Sequence, residues 1–350
     1  MHKILVKGNI ALCEGAIAAG CKAYFGYPIT PQNEVPAYMS KRMVELGRVF
    51  LQADSELAAS NLVLGASVTG ARAMTSSSSP GISLKQEGIS YLAGCELPAV
   101  IANVQRGGPG LGNIAGSQAD YFQATKGGGH GDYRLIVLAP NSVQEMYDHA
   151  KLAFELADKY RNPVMILSDG VVGQMMEPAL IPPLDQVPQQ KLPVKDWVLD
   201  GAKGRPPRSI KSLLMAEGAL EQHNYDLQKK YNDVKKNETR SEAVNTEDAD
   251  IILVAFGIVS RTAKSAMKQL RSSGIKAGFI RPITLWPFPE KVVSENAKPG
   301  RKFLVIEMNM GQMVEDVRLA VNGKCPVEFM GKPGGGIISV EEIISKSKSI

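Results

Sequence analysis

Along the first half of the chain, short apolar runs alternate with stretches whose apolar residues recur at helical spacing. Gly8 to Gly20 places Ile10, Ala11, Cys13, Ala16, Ile17 and Ala18 as a small-residue helix closed by a glycine. A strand is expected at Ala23–Phe25, then a loop, then a helix from Gln32 to about Leu46. Arg48–Ala53 reads as the second strand, and Asp54-Ser55-Glu56 opens a helix running from Leu57 to about Thr69. Ala71–Thr75 is a third strand ending in a serine-rich loop, Ser76-Ser77-Ser78-Ser79-Pro80-Gly81. A helix, the strand Pro98–Val104, the glycine-rich run Gly107–Gly112, the strand Leu135–Leu138, the helix Ser142–Tyr160 and the strand Val164–Leu167 follow. Strands alternating with helices at this rhythm mean βαβ units and a parallel sheet, an α/β fold.

The pattern lapses between Pro178 and Asp248. Prolines and polar residues dominate there, with Lys229, Lys230, Lys235 and Lys236 forming one basic cluster and helix-like pieces such as Ser212–Gln222. The stretch reads as a solvated connector, with a docking surface for an acidic ligand or partner as the alternative. Alternation resumes at Ile251–Ala255 and continues through Arg261–Ser272, Ala277–Ile280, Lys302–Ile306, Gln312–Val321 and Val327–Met330. The expected organisation is a first α/β domain over 1–177, a connector over 178–248 and a smaller α/β domain over 249–350.

Bulk composition changes this picture little. A chain of 350 residues, 44% hydrophobic and 21% charged, suits an ordinary two-domain globular protein. A net charge of +5 is too small to argue for nucleic acid. No apolar run approaches the ~20 residues needed to span a bilayer, and the first residues lack the apolar core of a signal peptide. A cytoplasmic protein is the expectation. Cys13, Cys21, Cys95 and Cys325 are far apart with no CxxC pair, which argues against an iron–sulfur cluster or zinc site on this chain.

Three loops at expected strand ends carry the candidate chemistry. Gly26-Tyr27-Pro28-Ile29-Thr30-Pro31 presents one hydroxyl, Thr30, on a backbone that its two prolines keep extended. Glu56 follows the second strand and Arg106 the fourth. Parallel strands would bring all three to one sheet edge, where open α/β sheets bind ligands. Singly each has a structural account: a turn for Thr30, the helix dipole for Glu56, any nearby acid for Arg106. Gly107 and Gly108 open a run that is neither GxGxxG nor a P-loop. His130 and Asp132, among the glycines of Gly127–Gly131, are candidate site or subunit contacts.

The motifs together resemble the α subunit of the thiamine-diphosphate-dependent 2-oxoacid:ferredoxin oxidoreductases. They are Gly26–Pro31, Ala53–Ala59, Thr75–Gly81, Gln105–Gly110, Arg281–Pro289 and Glu307–Gln312, in order over nearly the whole chain. The resemblance implies a pyrimidine-binding domain followed by one like the transketolase C-terminal domain. It implies that Glu56 hydrogen-bonds N1′ of the cofactor's aminopyrimidine, a task needing a dry site. Thr30 and Arg106 match substrate-carboxylate contacts, and Tyr27, Pro28, Ile29, Ser77, Ser78, Gly107 and Gly108 fall in the adjoining loops. It further implies oxidative decarboxylation of 3-methyl-2-oxobutanoate or 2-oxoglutarate with coenzyme A. Mg2+, the diphosphate end and [4Fe-4S] clusters would lie on partners: a β subunit, a γ subunit and a δ ferredoxin-like subunit, with ferredoxin as acceptor, in a dimer of heteromers. A non-oxidative thiamine-dependent decarboxylase subunit and a non-catalytic scaffold subunit are the alternatives.

Overall fold

A computed structural model describes residues 3–188 and 192–350. The chain begins with β1 (Ile4–Lys7), α1 (Gly8–Ala18), β2 (Ala23–Gly26), α2 (Glu34–Glu45), β3 (Val49–Gln52), α3 (Glu56–Val68), β4 (Ala73–Ser77) and α4 (Ser79–Gly94). It continues with β5 (Ala99–Gln105), α5 (Tyr121–Thr125), β6 (Ile136–Leu138), α6 (Val143–Tyr160), β7 (Pro163–Asp169), α7 (Gly170–Gln174), β8 (Met176–Ala179) and α8 (Ala219–Glu238). The remainder is β9 (Ser241–Val244), β10 (Ile251–Val254), α9 (Gly257–Ser272), β11 (Ala277–Pro282), β12 (Thr284–Trp286), α10 (Glu290–Asn296), β13 (Lys302–Glu307), α11 (Met313–Val321), β14 (Val327–Gly331) and α12 (Val340–Ser349).

Seven strands form one sheet in the order β12-β6-β7-β5-β4-β2-β3, parallel except for β12. Alternate residues of β2 enter different cores, Tyr24 with α1 and α2 and its neighbours Ala23 and Phe25 with α3, so the sheet is covered on both faces. The small residues of α1 let it lie close to α6: a Cβ on Gly15 would overlap the Tyr147 carbonyl oxygen. Because six strands run parallel, the loops after β2, β3, β4, β5 and β7 all open at one edge.

The second sheet is ordered β14-β13-β10-β11-β9, with β9 antiparallel. Its α/β unit is fastened to the first by strand exchange and side chains. β12 pairs with β6 of the first sheet. Arg281 donates to both carboxylate oxygens of Glu145, 2.9 Å to Oε1, and to the Ala139 carbonyl. Burial alone would raise Glu145, but Arg281 holds it below the usual carboxylate range.

Two expectations fail here. The serine-rich Ser76–Gly81 is not a loop: β4 runs through Ser77 and α4 starts at Ser79. Proline suits the first turn of a helix, so Pro80 sits in the first turn of α4 rather than ending a loop. Nor is all of the stretch after Pro178 a solvated connector: residues 192–218 are mostly exposed and without helix or strand, but the helix that follows is packed. α8 buries Leu227, Tyr231 and Val234 at helical spacing, and Tyr231 packs edge-on against Trp286. That sparse apolar stripe is masked by polar residues in between. The helix expected at Ser212–Gln222 starts only at Ala219. Within the basic cluster, Lys230 pairs with Glu96 at 3.0 Å and Lys229 with Asp226 at 3.1 Å. Residues 189–191 of the same stretch lie outside the described residues.

His149 of α6 is buried and pulled down to about 4, chiefly by burial, against the pull of Glu145. A group with a depressed folded pKa loses stability as pH falls below its unfolded value near 6.5. Chemical denaturation should show the wild type losing on the order of 2 kcal/mol between about pH 7 and pH 4.5 through this residue. His149→Gln should lose correspondingly less. Equal slopes for the two proteins would contradict the assignment.

Candidate active site at the sheet edge

The β4–α4 turn is the hub of this edge. Ser79 Oγ accepts the Arg106 N–H at 3.0 Å and donates to Asp120 Oδ2 at 2.7 Å. Asn103 of β5 donates to the same Asp120 oxygen at 2.8 Å and accepts the Ser79 N–H at 3.1 Å. Burial raises Asp120, opposed by Ser79 and Asn103. One network thus locks the start of α4 to the end of β5. Neither Asn103 nor Asp120 stands out in the sequence, because each acts through a long-range contact, whereas Ser79 falls within the Thr75–Gly81 motif.

Glu56 is the first residue of α3, whose N-cap is Ser55, with its hydroxyl accepting the Ala58 N–H at 3.1 Å. It is 7% exposed. Among the described residues no donor engages its carboxylate. Glycine at position 81 makes room for it: a Cβ there would sit 2.7 Å from Glu56 Oε1 and closer still to Ser77 Oγ. Ser77 Oγ and Ser78 Oγ are buried without hydrogen-bond partners. Lys85, one turn further along α4, is wholly buried and donates to the Glu56 carbonyl at 3.2 Å and Thr75 Oγ1 at 3.0 Å.

Arg106 is also buried, and it joins the proline loop to the glycine loop. Nη1 donates to the Thr30 carbonyl at 3.0 Å and Nη2 to the Leu111 carbonyl at 3.1 Å. Nε is buried without a partner. Of the five guanidinium N–H donors three stay uncommitted, and with Nε sealed off an anion must be met by the two Nη groups. The Thr30 hydroxyl accepts from Asn33 Nδ2 at 3.1 Å and keeps its own proton to donate. Thr30 and Ile29 are half-buried, and Tyr27 and Pro28 are exposed. The loop is held from below, where Asn9 and Gln174 both donate to the Pro31 carbonyl. Gly107 is buried and closes the glycine loop by bonding Ala115 and Asn113, whereas Gly108 to Ile114 face solvent.

His130 and Asp132 are not brought to this site. Both are exposed and line a cavity with Tyr91 and Gly94, at the far end of α4, about 20 Å of helix from Ser79. Asp169, at the end of β7, is spent on structure: it accepts from Val171 and Val172 of α7 and from Ile258 of α9 at 3.0 Å, capping two helices. Burial pushes it up to about 6, against those N–H groups. The two second-domain motifs are structural as well. Glu307 accepts from the first turn of α11, Met308 exchanges hydrogen bonds with Gln118, and Asn309 donates to the Gln118 carbonyl at 2.8 Å.

Residues 14–245 match the family described as "Pyruvate flavodoxin/ferredoxin oxidoreductase, thiamine diP-bdg", and residues 249–343 match "Pyruvate:ferredoxin oxidoreductase core domain II". The chain belongs to the 2-oxoacid:ferredoxin oxidoreductase family. Among its relatives, ketoisovalerate oxidoreductase subunit VorB of Methanothermobacter marburgensis is 52% identical over 99% of this chain and 97% of its own length. The same organism's 2-oxoglutarate synthase subunit KorA is 38% identical over 99% of this chain and 98% of its own. A solved structure of 2-oxoglutarate:ferredoxin oxidoreductase from Magnetococcus marinus, with 2-oxoglutarate, coenzyme A and succinyl-CoA bound, superposes with TM-score 0.89 at 28% identity. It covers 99% of this chain, which spans 65% of that one. A split-gene transketolase shares the fold, with TM-score 0.60 at 15% identity. This is an α-type subunit with a thiamine-diphosphate-binding domain.

The residues present fit one end of that cofactor. A buried acid with no internal donor, near the unpartnered Ser77 hydroxyl across Gly81, suits a heteroaromatic ring with exchangeable N–H groups. Among the described residues no group of three or more His, Cys, Asp or Glu side chains converges as a metal centre. Also among the described residues, no helix is long and apolar enough to cross a membrane. Gly81→Ala, which drives a methyl group into Glu56 Oε1 and Ser77 Oγ, should weaken thiamine diphosphate binding to the assembled complex at least tenfold, roughly the effect of ~1.4 kcal/mol. Calorimetric titration measures it, and unchanged affinity would mean that Glu56 can move aside freely.

Proposed function

We propose that this chain supplies the aminopyrimidine-binding half of a thiamine diphosphate site completed by a β subunit. The reaction is oxidative decarboxylation of 3-methyl-2-oxobutanoate with coenzyme A, giving an acyl-CoA and carbon dioxide and passing two electrons to ferredoxin. The observation that carries the reading is the Glu56 carboxylate, buried and unengaged at the sheet edge of a thiamine-diphosphate-binding domain. The branched substrate is favoured by 52% identity to a ketoisovalerate oxidoreductase subunit, against 38% for a 2-oxoglutarate synthase subunit. A 2-oxoglutarate reading is favoured by the structural neighbour whose description names that acid.

The cofactor, when bound, is the electron sink that lets carbon dioxide leave. Glu56 hydrogen-bonds the pyrimidine ring, and its burial keeps water from competing for that bond. The uncommitted N–H groups of the Arg106 Nη atoms and the Thr30 hydroxyl receive the substrate carboxylate, with Ile29 and Pro28 flanking it. Arg106 is already tied to the Thr30 and Leu111 carbonyls, so it is oriented before substrate arrives and little freedom is lost on binding.

The β subunit brings the diphosphate contacts, Mg2+ and a [4Fe-4S] cluster. A γ subunit and a δ ferredoxin-like subunit complete the heteromer, which pairs as a dimer of heteromers in the cytoplasm. Buried thiols such as Cys13 and Cys21 are compatible with that reducing compartment.

Glu56→Gln in the assembled complex should lower kcat for ferredoxin reduction by at least ~100-fold, the usual scale for a lost proton-transfer group. Full activity would make Glu56 structural. Arg106→Lys should raise KM for the 2-oxo acid about tenfold, because a lysine cannot reproduce the planar fork. The isolated chain should oxidise no 2-oxo acid with a dye acceptor.

A further inference from the structure

Lys85 is a buried cation to which the proposed chemistry gives no task. The side chain has no exposed surface, and Nζ meets two neutral acceptors, the Glu56 carbonyl and Thr75 Oγ1. No carboxylate of the described residues lies within ion-pair distance of it. On the same helix Ile82 and Ile89 fill the neighbouring buried positions with apolar side chains. An ammonium with neutral acceptors alone is poorly repaid for leaving water, and a methionine would fill the same space without that penalty.

The groups facing Lys85 can be named. β4 contributes Thr75, and α3 contributes Glu56, the one charged group whose field reaches it. On α4 itself, Glu87 points to solvent and accepts from Tyr91. Burial pulls Lys85 down to about 8, and Glu56 opposes that fall. At neutral pH the ammonium is therefore charged, and it discharges as pH rises through that value.

We propose that Lys85 is a positioning residue for Glu56: its ammonium pins the first turn of α3 through the Glu56 carbonyl, and its charge supplies a fixed field at the Glu56 carboxylate. The proposal rests on the cofactor contact assigned to Glu56 above. Its two parts separate chemically. A glutamine can still donate to the Glu56 carbonyl but carries no charge, whereas a methionine does neither.

The test uses the assembled complex with Lys85→Met, Lys85→Gln and Glu56→Gln. It follows kcat and KM against pH, together with the near-ultraviolet circular dichroism of bound thiamine diphosphate, which reports the tautomer of the aminopyrimidine. Both Lys85 variants should move the acid limb of kcat up by about one pH unit, the usual effect of losing a nearby opposite charge. The dichroic transition should move with it, and KM for the 2-oxo acid should stay within about twofold, since substrate binding is not touched. Wild type should show a further dichroic change on the alkaline side with a midpoint near 8, absent from both variants. Unshifted profiles in both variants, or wild-type behaviour restored by the neutral glutamine, overturn the proposal. If the variants fail to assemble, the alkaline transition of the wild type decides, and its absence overturns the proposal. A fully active Glu56→Gln complex removes the role of Glu56 itself. An inactive one beside unshifted Lys85 variants removes only that of Lys85.

Discussion

Helix α4 is the part on which the rest of the site depends, and the constraint on it is the one-residue link at Ser78. With β4 ending at Ser77 and α4 starting at Ser79, the helix cannot swing away from the sheet edge. Its first turn is then forced against both neighbours. Ser79 takes the Arg106 N–H on one side, and Gly81 lies against Glu56 and Ser77 on the other. A turn later Lys85 reaches back to the Glu56 carbonyl and to β4. Two residues from two different loops, Glu56 and Arg106, are thereby referenced to one rigid element, which suits a site that must hold reacting groups still.

Much of this was legible in the sequence, for physical reasons that vary by residue. Strand and helix order in the first unit follows from periodicity, and parallel strands bring Thr30, Glu56 and Arg106 to a common edge. Their mutual arrangement was not legible: Arg106 meets Thr30 through the main-chain carbonyl, not the hydroxyl. Serines at 76–79 read as loop because serine is poor in strands and helices. Here tertiary partners such as Tyr24, at 2.7 Å from Ser76 Oγ, make them acceptable in regular structure. α8 was hidden by a polar majority around its Leu227, Tyr231 and Val234 stripe. His130 and Asp132 carried the right residue types in a glycine-rich loop, yet composition says nothing of which end of a helix a loop lies beside.

The second domain shows how a motif can be specific without being chemical. Arg281 clamps Glu145, β12 extends the first sheet, and Glu307, Met308 and Asn309 interlock with Gln118. Asp169 caps helices on both sides of the junction. These contacts reach the candidate edge, because Gln118 and Asp120 lie in the segment that also anchors Arg106 through Ser79. Docking of the second unit and placement of Arg106 are therefore mechanically continuous.

The energetics of the edge point the same way. Keeping Lys85 charged at neutral pH costs on the order of 3 kcal/mol, given a fall from 10.5 to about 8. Glu56 opposes that fall without an ion pair, so the two charges compensate only through their fields. Such an arrangement is a poor way to stabilise a helix pair, since an apolar contact between α3 and α4 would do better. It is a good way to fix an electrostatic environment before a ligand arrives. A buried cation on a rigid helix supplies a fixed field at Glu56 without reorganising when a ligand binds. The same low dielectric that makes Lys85 expensive makes its field effective at Glu56, so burial and function are one choice at this position.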